Sequence, residues 1–84
     1  MTENAAIKLL IVDDHAVVRE GLKQIISSTR DIAVAGEAGT GHEAIRMSRQ
    51  LDYQIMLLEI ALPDKNGIEV LKQIKKESPQ VAVI

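Results

Sequence analysis

The sequence contains no cysteine, no phenylalanine and no tryptophan, and its 84 residues include a single tyrosine. The missing thiols exclude a disulfide scaffold and a thiolate metal site, and they make a reducing cytoplasm the default setting. So few rings leave no stacking platforms for bases, and the core must be aliphatic. Neither sign of charge dominates: 10 Lys and Arg stand against 12 Asp and Glu, for a net charge of -2. That balance offers no electrostatic attraction to nucleic acid or to an anionic membrane. No apolar run approaches the ~18 residues needed to span a bilayer. The opening "MTENAAIKLLIVDD" is not a secretory signal, because its apolar stretch is short and ends in two aspartates.

What is present is a hydrophobic fraction of 46%, ordinary for a globular chain, in a length that suits one domain. Four apolar runs, "IKLLIV" (7–12), "IAVAGEA" (32–38), "YQIMLLE" (53–59) and "VAVI" (81–84), alternate with three amphipathic segments. The first and third runs are nearly continuous Ile, Val and Leu, which suits strands covered on both faces. Val18, Leu22, Ile25 and Ile26 form one helical stripe, Ala44, Ile45, Ser48 and Leu51 a second, and Ile68, Leu71 and Ile74 a third. Thr40 and Glu43 have the spacing of a capping box. Asn66 is the expected N-cap of the third helix, Lys75 and Lys76 oppose its dipole, and Pro79 stops it.

The order βαβαβαβ predicts right-handed crossovers and a parallel α/β sheet with helices on both faces. The first helix would cover one face almost alone. The last run ends at Ile84 as an open apolar edge, which soluble proteins normally avoid. The expectation is an N-terminal portion of a larger domain, truncated after strand four and prone to homo-oligomerise through that edge.

Ligands of open parallel sheets bind beyond the C-terminal ends of the strands. Two strands end in acid here, "LLIVDD" at Asp13 and Asp14 and "IMLLE" at Glu59. If those strands are neighbours, three carboxylates converge and raise one another's pKa unless a cation sits among them. Mg²⁺, a hard ion that takes one or two carboxylates and keeps places for phosphate oxygens, answers that need. The plainer reading of Asp13 and Asp14 is a helix N-cap with a first-turn acid, and that of Glu59 is a surface residue with no role. His15 is expected to be a solvated first-turn residue, because adjacent side chains diverge.

A rival lies in "GTGHEA": Gly39, Thr40, Gly41, His42, Glu43 and Ala44 satisfy a dinucleotide-binding fingerprint between a strand and a helix. Against it, that fingerprint normally follows the first strand, and Asp13 and Asp14 are left unexplained. "GEAGTG" (36–41) has the glycine spacing of a phosphate loop. It is followed by His42 and Glu43 rather than Lys and Ser or Thr, so it is rejected.

"IKLLIVDDHAVVREGLKQII", "VAGEAGTGHEAI" and "LLEIALPDKNGIEVLKQIKKESP" together resemble the receiver domain of two-component response regulators. The phrasing is closest to the NarL/FixJ group, which carries a LuxR-type DNA-binding domain. The resemblance covers essentially the whole chain and implies a flavodoxin-like fold and a signalling module rather than an enzyme. It implies that Asp13 and Asp14 hold Mg²⁺, one directly and one through water, beside position 59 and the backbone carbonyl of Ala61. Pro63 and Gly67 would shape the framing loop. Position 59 would accept a phosphoryl group from the phosphohistidine of a sensor histidine kinase, and DNA would be reached only through a C-terminal domain.

One departure stands inside the site: the family has Asp at the acceptor position, where this chain has Glu59. Its carboxylate is carried about 1.5 Å further out, and misplacement of about 1 Å can cost on the order of a hundredfold in rate. The expected outcome is a phosphorylation-defective receiver or a partial mimic of the phosphorylated one, since a phosphoryl group brings up to about -2 charge and three acceptor oxygens. The alternative is a receiver-like interaction module that takes no phosphate. The family's hydroxyl residue after strand four, its lysine after strand five, that strand and the last two helices fall beyond Ile84.

Overall fold

A computed structural model describes residues 6–84. In chain order the elements are β1 (Ile7–Val12), α1 (Ala16–Ser27), β2 (Ile32–Ala38), α2 (Gly41–Gln50), β3 (Ile55–Leu58), α3 (Gly67–Glu77) and β4 (Ala82–Val83). The strands form one parallel sheet in the order β2-β1-β3-β4. This is the expected flavodoxin-like arrangement, and it places the strand that ends at Asp13 beside the strand that ends at Glu59.

Leu9 to Val12 are buried without a break because β1 is an inner strand with helices over both faces. Alternation sorts its side chains. Leu10 and Val12 join Ala38, Ala44, Met56, Val70 and Ile74 under α2 and α3, while Leu9 and Ile11 meet Leu22 and Ile26 of α1 on the other face. Each fully buried aliphatic side chain contributes about 1.5–3 kcal/mol.

β2 carries an irregularity. Leu9 pairs with Val34 but Leu10 pairs with Gly36, so Ala35 is an extra residue, a bulge that reverses which face the rest of the strand presents. Ile32 and Val34 lie on the α1 side. Past the bulge, Gly36 lies under α2, where a Cβ would come within 2.7 Å of Leu51 Cδ1 and 2.8 Å of Met47 Cε. Glu37 is thereby turned toward α1.

The helices depart from their expected stripes in instructive ways. α1 is alone on its face, so only Leu22 and Ile26 engage the sheet. Val18 and Ile25 stay exposed, Ile25 at 68%. In α3 the buried positions are Gly67, Val70 and Ile74. Ile68 is rotated outward and borders an apolar recess of about 150 Å³ with Leu58, Leu71 and Val83. β3 is shorter than 53–59 because Tyr53 turns into the core, where its hydroxyl lies 2.5 Å from Ser48 Oγ. That pair also explains a serine on the buried face of α2. Thr40 caps α2 by accepting the Glu43 amide at 3.0 Å, but Glu43 reaches back to the Gly39 amide at 2.8 Å. Asn66 caps α3 through the Ile68 amide at 2.7 Å.

Candidate functional site

The register of β1 against β3 builds the site. Val12 pairs with Leu58, and the Glu59 amide donates to the Val12 carbonyl at 2.9 Å. Asp13 and Glu59 therefore leave their strands side by side. Both continue the parity of Leu9, Ile11, Ile55 and Leu57, which face α1. On the other flank the Asp13 amide donates to Ala38 at the end of β2 at 3.0 Å.

Asp13 is the buried acid of the group. Burial alone would raise its pKa. Hydrogen bonds from the His15 amide and ring, with the charges of His15 and Arg19, outweigh that and hold the carboxyl below its ordinary 3.8. The amide and Nδ1 of His15 both lie 2.8 Å from Asp13 Oδ1, and Nδ1 is also 3.1 Å from Asp14 Oδ1. The His15 pKa is raised above 6.5, first by its bond to Asp13, then by the charges of Asp14 and Asp13, with Glu59 contributing. This corrects the expectation for His15. The residue is solvated but not idle, because it is the N-cap of α1 in an extended conformation, and residues two apart on extended backbone share a side.

Among the described residues, Asp13, Asp14 and His15 offer ligand atoms within 4.8 Å of one another. Glu59 stands beside this group rather than in it, and its Oε2 accepts the Ala61 amide at 3.2 Å. Two carboxylates backed by a half-buried acid and a nearby carbonyl-bearing loop fit a hard divalent ion.

That loop is fixed at both ends. The Gly67 amide donates to the Ile60 carbonyl at 2.7 Å. A Cβ on Gly67 would lie 2.5 Å from Ile60 Cα and 2.7 Å from the Glu59 carbonyl, so close approach rather than backbone freedom demands glycine here. Ala61 bridges to Asn66, while Pro63 is exposed at the turn. Asp64 went unnoticed in the sequence. Its carboxylate accepts the Gly41 and His42 amides at 2.7 and 3.0 Å, bonds the His42 ring, and is held well below the usual carboxylate range by those amides. The only signal for it was its place in "LPDKNG". The amides of Gly39, Gly41 and His42 are thus engaged by Glu43 and Asp64, which removes the donors a dinucleotide pyrophosphate would need.

The sequence model of the response regulator receiver domain matches residues 9–84. The chain belongs to this family. It is 41% identical over 78 residues to the response regulator protein VraR of Staphylococcus aureus, covering 93% of this chain and 37% of that protein. The fold is similar to the response regulator domain of Thermotoga maritima CheB, with a TM-score of 0.88 and 40% identity over 94% of this chain and 58% of that one. It is similar also to a LuxR-family two-component response regulator from Aurantimonas sp. SI85-9A1, with a TM-score of 0.86 and 30% identity over 94% and 56%. The LuxR-type affinity read from the phrasing of the sequence is consistent with these relatives. The chain spans little more than a third of VraR's length.

In this receiver domain the wall of the acidic crevice comes from α1 and the reversed half of β2. Arg19 Nη1 donates to the Asp13 carbonyl at 2.5 Å and its Nε to Glu37 at 2.8 Å, and Lys23 meets the other oxygen of Glu37 at 2.6 Å. Lys23 first and Arg19 second hold the Glu37 carboxyl below its ordinary value. Among the described residues no helix is long and apolar enough to cross a membrane.

Proposed function

We propose that this chain is the phosphoacceptor receiver domain of a two-component transcriptional response regulator, with Glu59 in the acceptor's seat and transfer disabled. The observation that carries the reading is the pairing of Val12 with Leu58, which sets Asp13 and Glu59 at adjacent strand ends. Asp13 and Asp14 would hold Mg²⁺, with the Ala61 carbonyl and Glu59 as the further oxygens the loop brings beside them. Bound there, the ion neutralises charge on a phosphoryl group, and phosphoryl transfer depends mainly on such positioning and charge stabilisation. The chain's own residues prepare the place. His15 and Arg19 keep Asp13 ionised, and Gly67 lets the loop carrying Ala61 and Pro63 close against β3.

Glu59 is one methylene too long for a site fitted to Asp, and it uses that reach to hold the Ala61 amide. A carboxylate so engaged is a poor nucleophile and places a fixed negative charge near the phosphoryl position. The partner supplying phosphate is the phosphohistidine of a sensor kinase, and DNA is contacted through a separate LuxR-type domain. A second reading, a receiver-like module that acts only by binding partners, is favoured by Glu59 itself.

Calorimetry and mass spectrometry test both. Mg²⁺ binding lost in Asp14→Ala is expected, and so is gain of one phosphoryl group by Glu59→Asp, placed in the full-length protein, from a small phosphodonor with Mg²⁺. No gain by Glu59→Asp would overturn the acceptor assignment, and no Asp14-dependent Mg²⁺ binding would leave the interaction module.

A further inference from the structure

The acidic pair carries an imidazole that an all-oxygen magnesium pocket does not need. We propose that His15 is itself a ligand, through Nδ1, of the divalent ion held by Asp13 and Asp14, and that this chain therefore favours Mn²⁺, Co²⁺, Ni²⁺ or Zn²⁺ over Mg²⁺ more than the two acids alone would. The inference rests on the reading of the acidic pair as a metal site.

The geometry is specific. Nδ1 lies 2.8 Å from Asp13 Oδ1 and 3.1 Å from Asp14 Oδ1. Neighbouring ligands on an octahedral ion with bonds of about 2.1 Å are separated by about 3.0 Å. Both imidazole–carboxylate separations are close to that edge, and the three ligand atoms lie within 4.8 Å of one another, so a cation can take the place of the proton now held between the ring and Asp13. The backbone keeps the ring there. His15 is extended at the head of α1, and its amide is tied to the same Asp13 oxygen at 2.8 Å. The ring is 63% exposed, so the Nδ1 proton shared with Asp13 can leave to water as a cation enters, while Nε2 keeps its own proton facing solvent.

The chemistry then sets selectivity. Mg²⁺ prefers oxygen and gains little from an imidazole. Affinities of nitrogen-containing sites rise from Mn²⁺ through Ni²⁺ and Cu²⁺, and imidazole suits Zn²⁺. His42, the other histidine, has one carboxylate partner, Asp64, and serves as an internal control.

The test uses the full chain at fixed pH. Pulsed EPR of bound Mn²⁺ should show nitrogen coupling in the parent and in His42→Gln, and none in His15→Asn, which puts a favoured N-cap residue at the head of α1. Calorimetry should show His15→Asn losing about tenfold or more in Ni²⁺ affinity, with Mg²⁺ affinity changed by less than about twofold. Asp14-dependent Mn²⁺ binding without nitrogen coupling would overturn ligation by His15 alone. Equal losses of Mg²⁺ and Ni²⁺ would do the same, because they would mean His15 acts only by orienting Asp13. Mn²⁺ binding indifferent to Asp14→Ala would overturn the underlying metal site together with it.

Discussion

Asp64, in the loop after β3, accepts the amide of Gly41 at 2.7 Å and so ties that loop to the start of α2. The Gly41 and His42 amides and the His42 ring favour the ionised carboxylate. A carboxyl depressed on folding adds stability that is complete above its unfolded value, about 3.9, and is lost as pH falls through it toward the folded one. Asp64→Asn should therefore melt several degrees lower near neutrality, with the gap closing below about pH 4. Thermal melts followed by circular dichroism across that range check this. Glu77, held down to about 2 by Arg49 and then Gln73, titrates in the same region, so each variant is compared with its parent at each pH.

Two glycines should respond in opposite directions to the same methyl group. Gly67→Ala forces a Cβ against the Ile60 backbone and should cost about 1–3 kcal/mol or more, with Mg²⁺ binding weakened as the loop moves. Gly21 is on α1 with nothing within 4 Å of its virtual Cβ, so Gly21→Ala should add about 0.5–1 kcal/mol. Urea titrations with a shared m-value resolve both.

Ser48 and Tyr53 satisfy each other's hydroxyls inside the core. Tyr53→Phe should strand the serine oxygen and cost about 1–3 kcal/mol. Adding Ser48→Ala should recover part of that loss. A double-mutant cycle with no coupling would show that the pair is incidental.

Divalent metal should stabilise the folded chain by mass action, by about 2.7 kcal/mol at a hundredfold excess over Kd. Mg²⁺ should raise Tm in the parent and leave Asp14→Ala unmoved, and chelation should return the parent to its starting value. A rise that survives Asp14→Ala would place the ion elsewhere.

The order of the elements and the bounds of β1 and β2 were legible because alternation and continuous aliphatic runs are physical signatures of covered strands. Tyr53 lies inside an apolar run yet outside β3, because a hydroxyl must find a partner and the strand yields to it. In α3 the stripe through Ile68, Leu71 and Ile74 and the face through Gly67, Val70 and Ile74 both satisfy helical spacing. What decides between them is the Gly67–Ile60 contact, which no periodicity contains. Val18 and Ile25 are apolar at helical spacing and exposed, since α1 has sheet on one flank only. Asp13, Asp14 and Glu59 stood out because acids at the ends of aliphatic strands are costly without a purpose. His15 is solvated, as its place after Asp14 suggests, but its ring meets Asp13, two residues back on extended chain, a relation that neighbour-by-neighbour reading does not contain. Asp64 showed only as one letter of "LPDKNG", since an acid in a loop has no role to read until the helix it caps is folded against it.

The extra residue at Ala35 reaches further than the rim of the sheet where it lies. Were Ala35 instead to pair opposite Leu10, Glu37 would fall opposite Val12 and swing beneath Met47 and Leu51, an ion delivered into oil. Arg19 would lose the anchor from which it grips the Asp13 carbonyl. One small alanine left out of the ladder thus keeps the crevice armed by turning half a strand over.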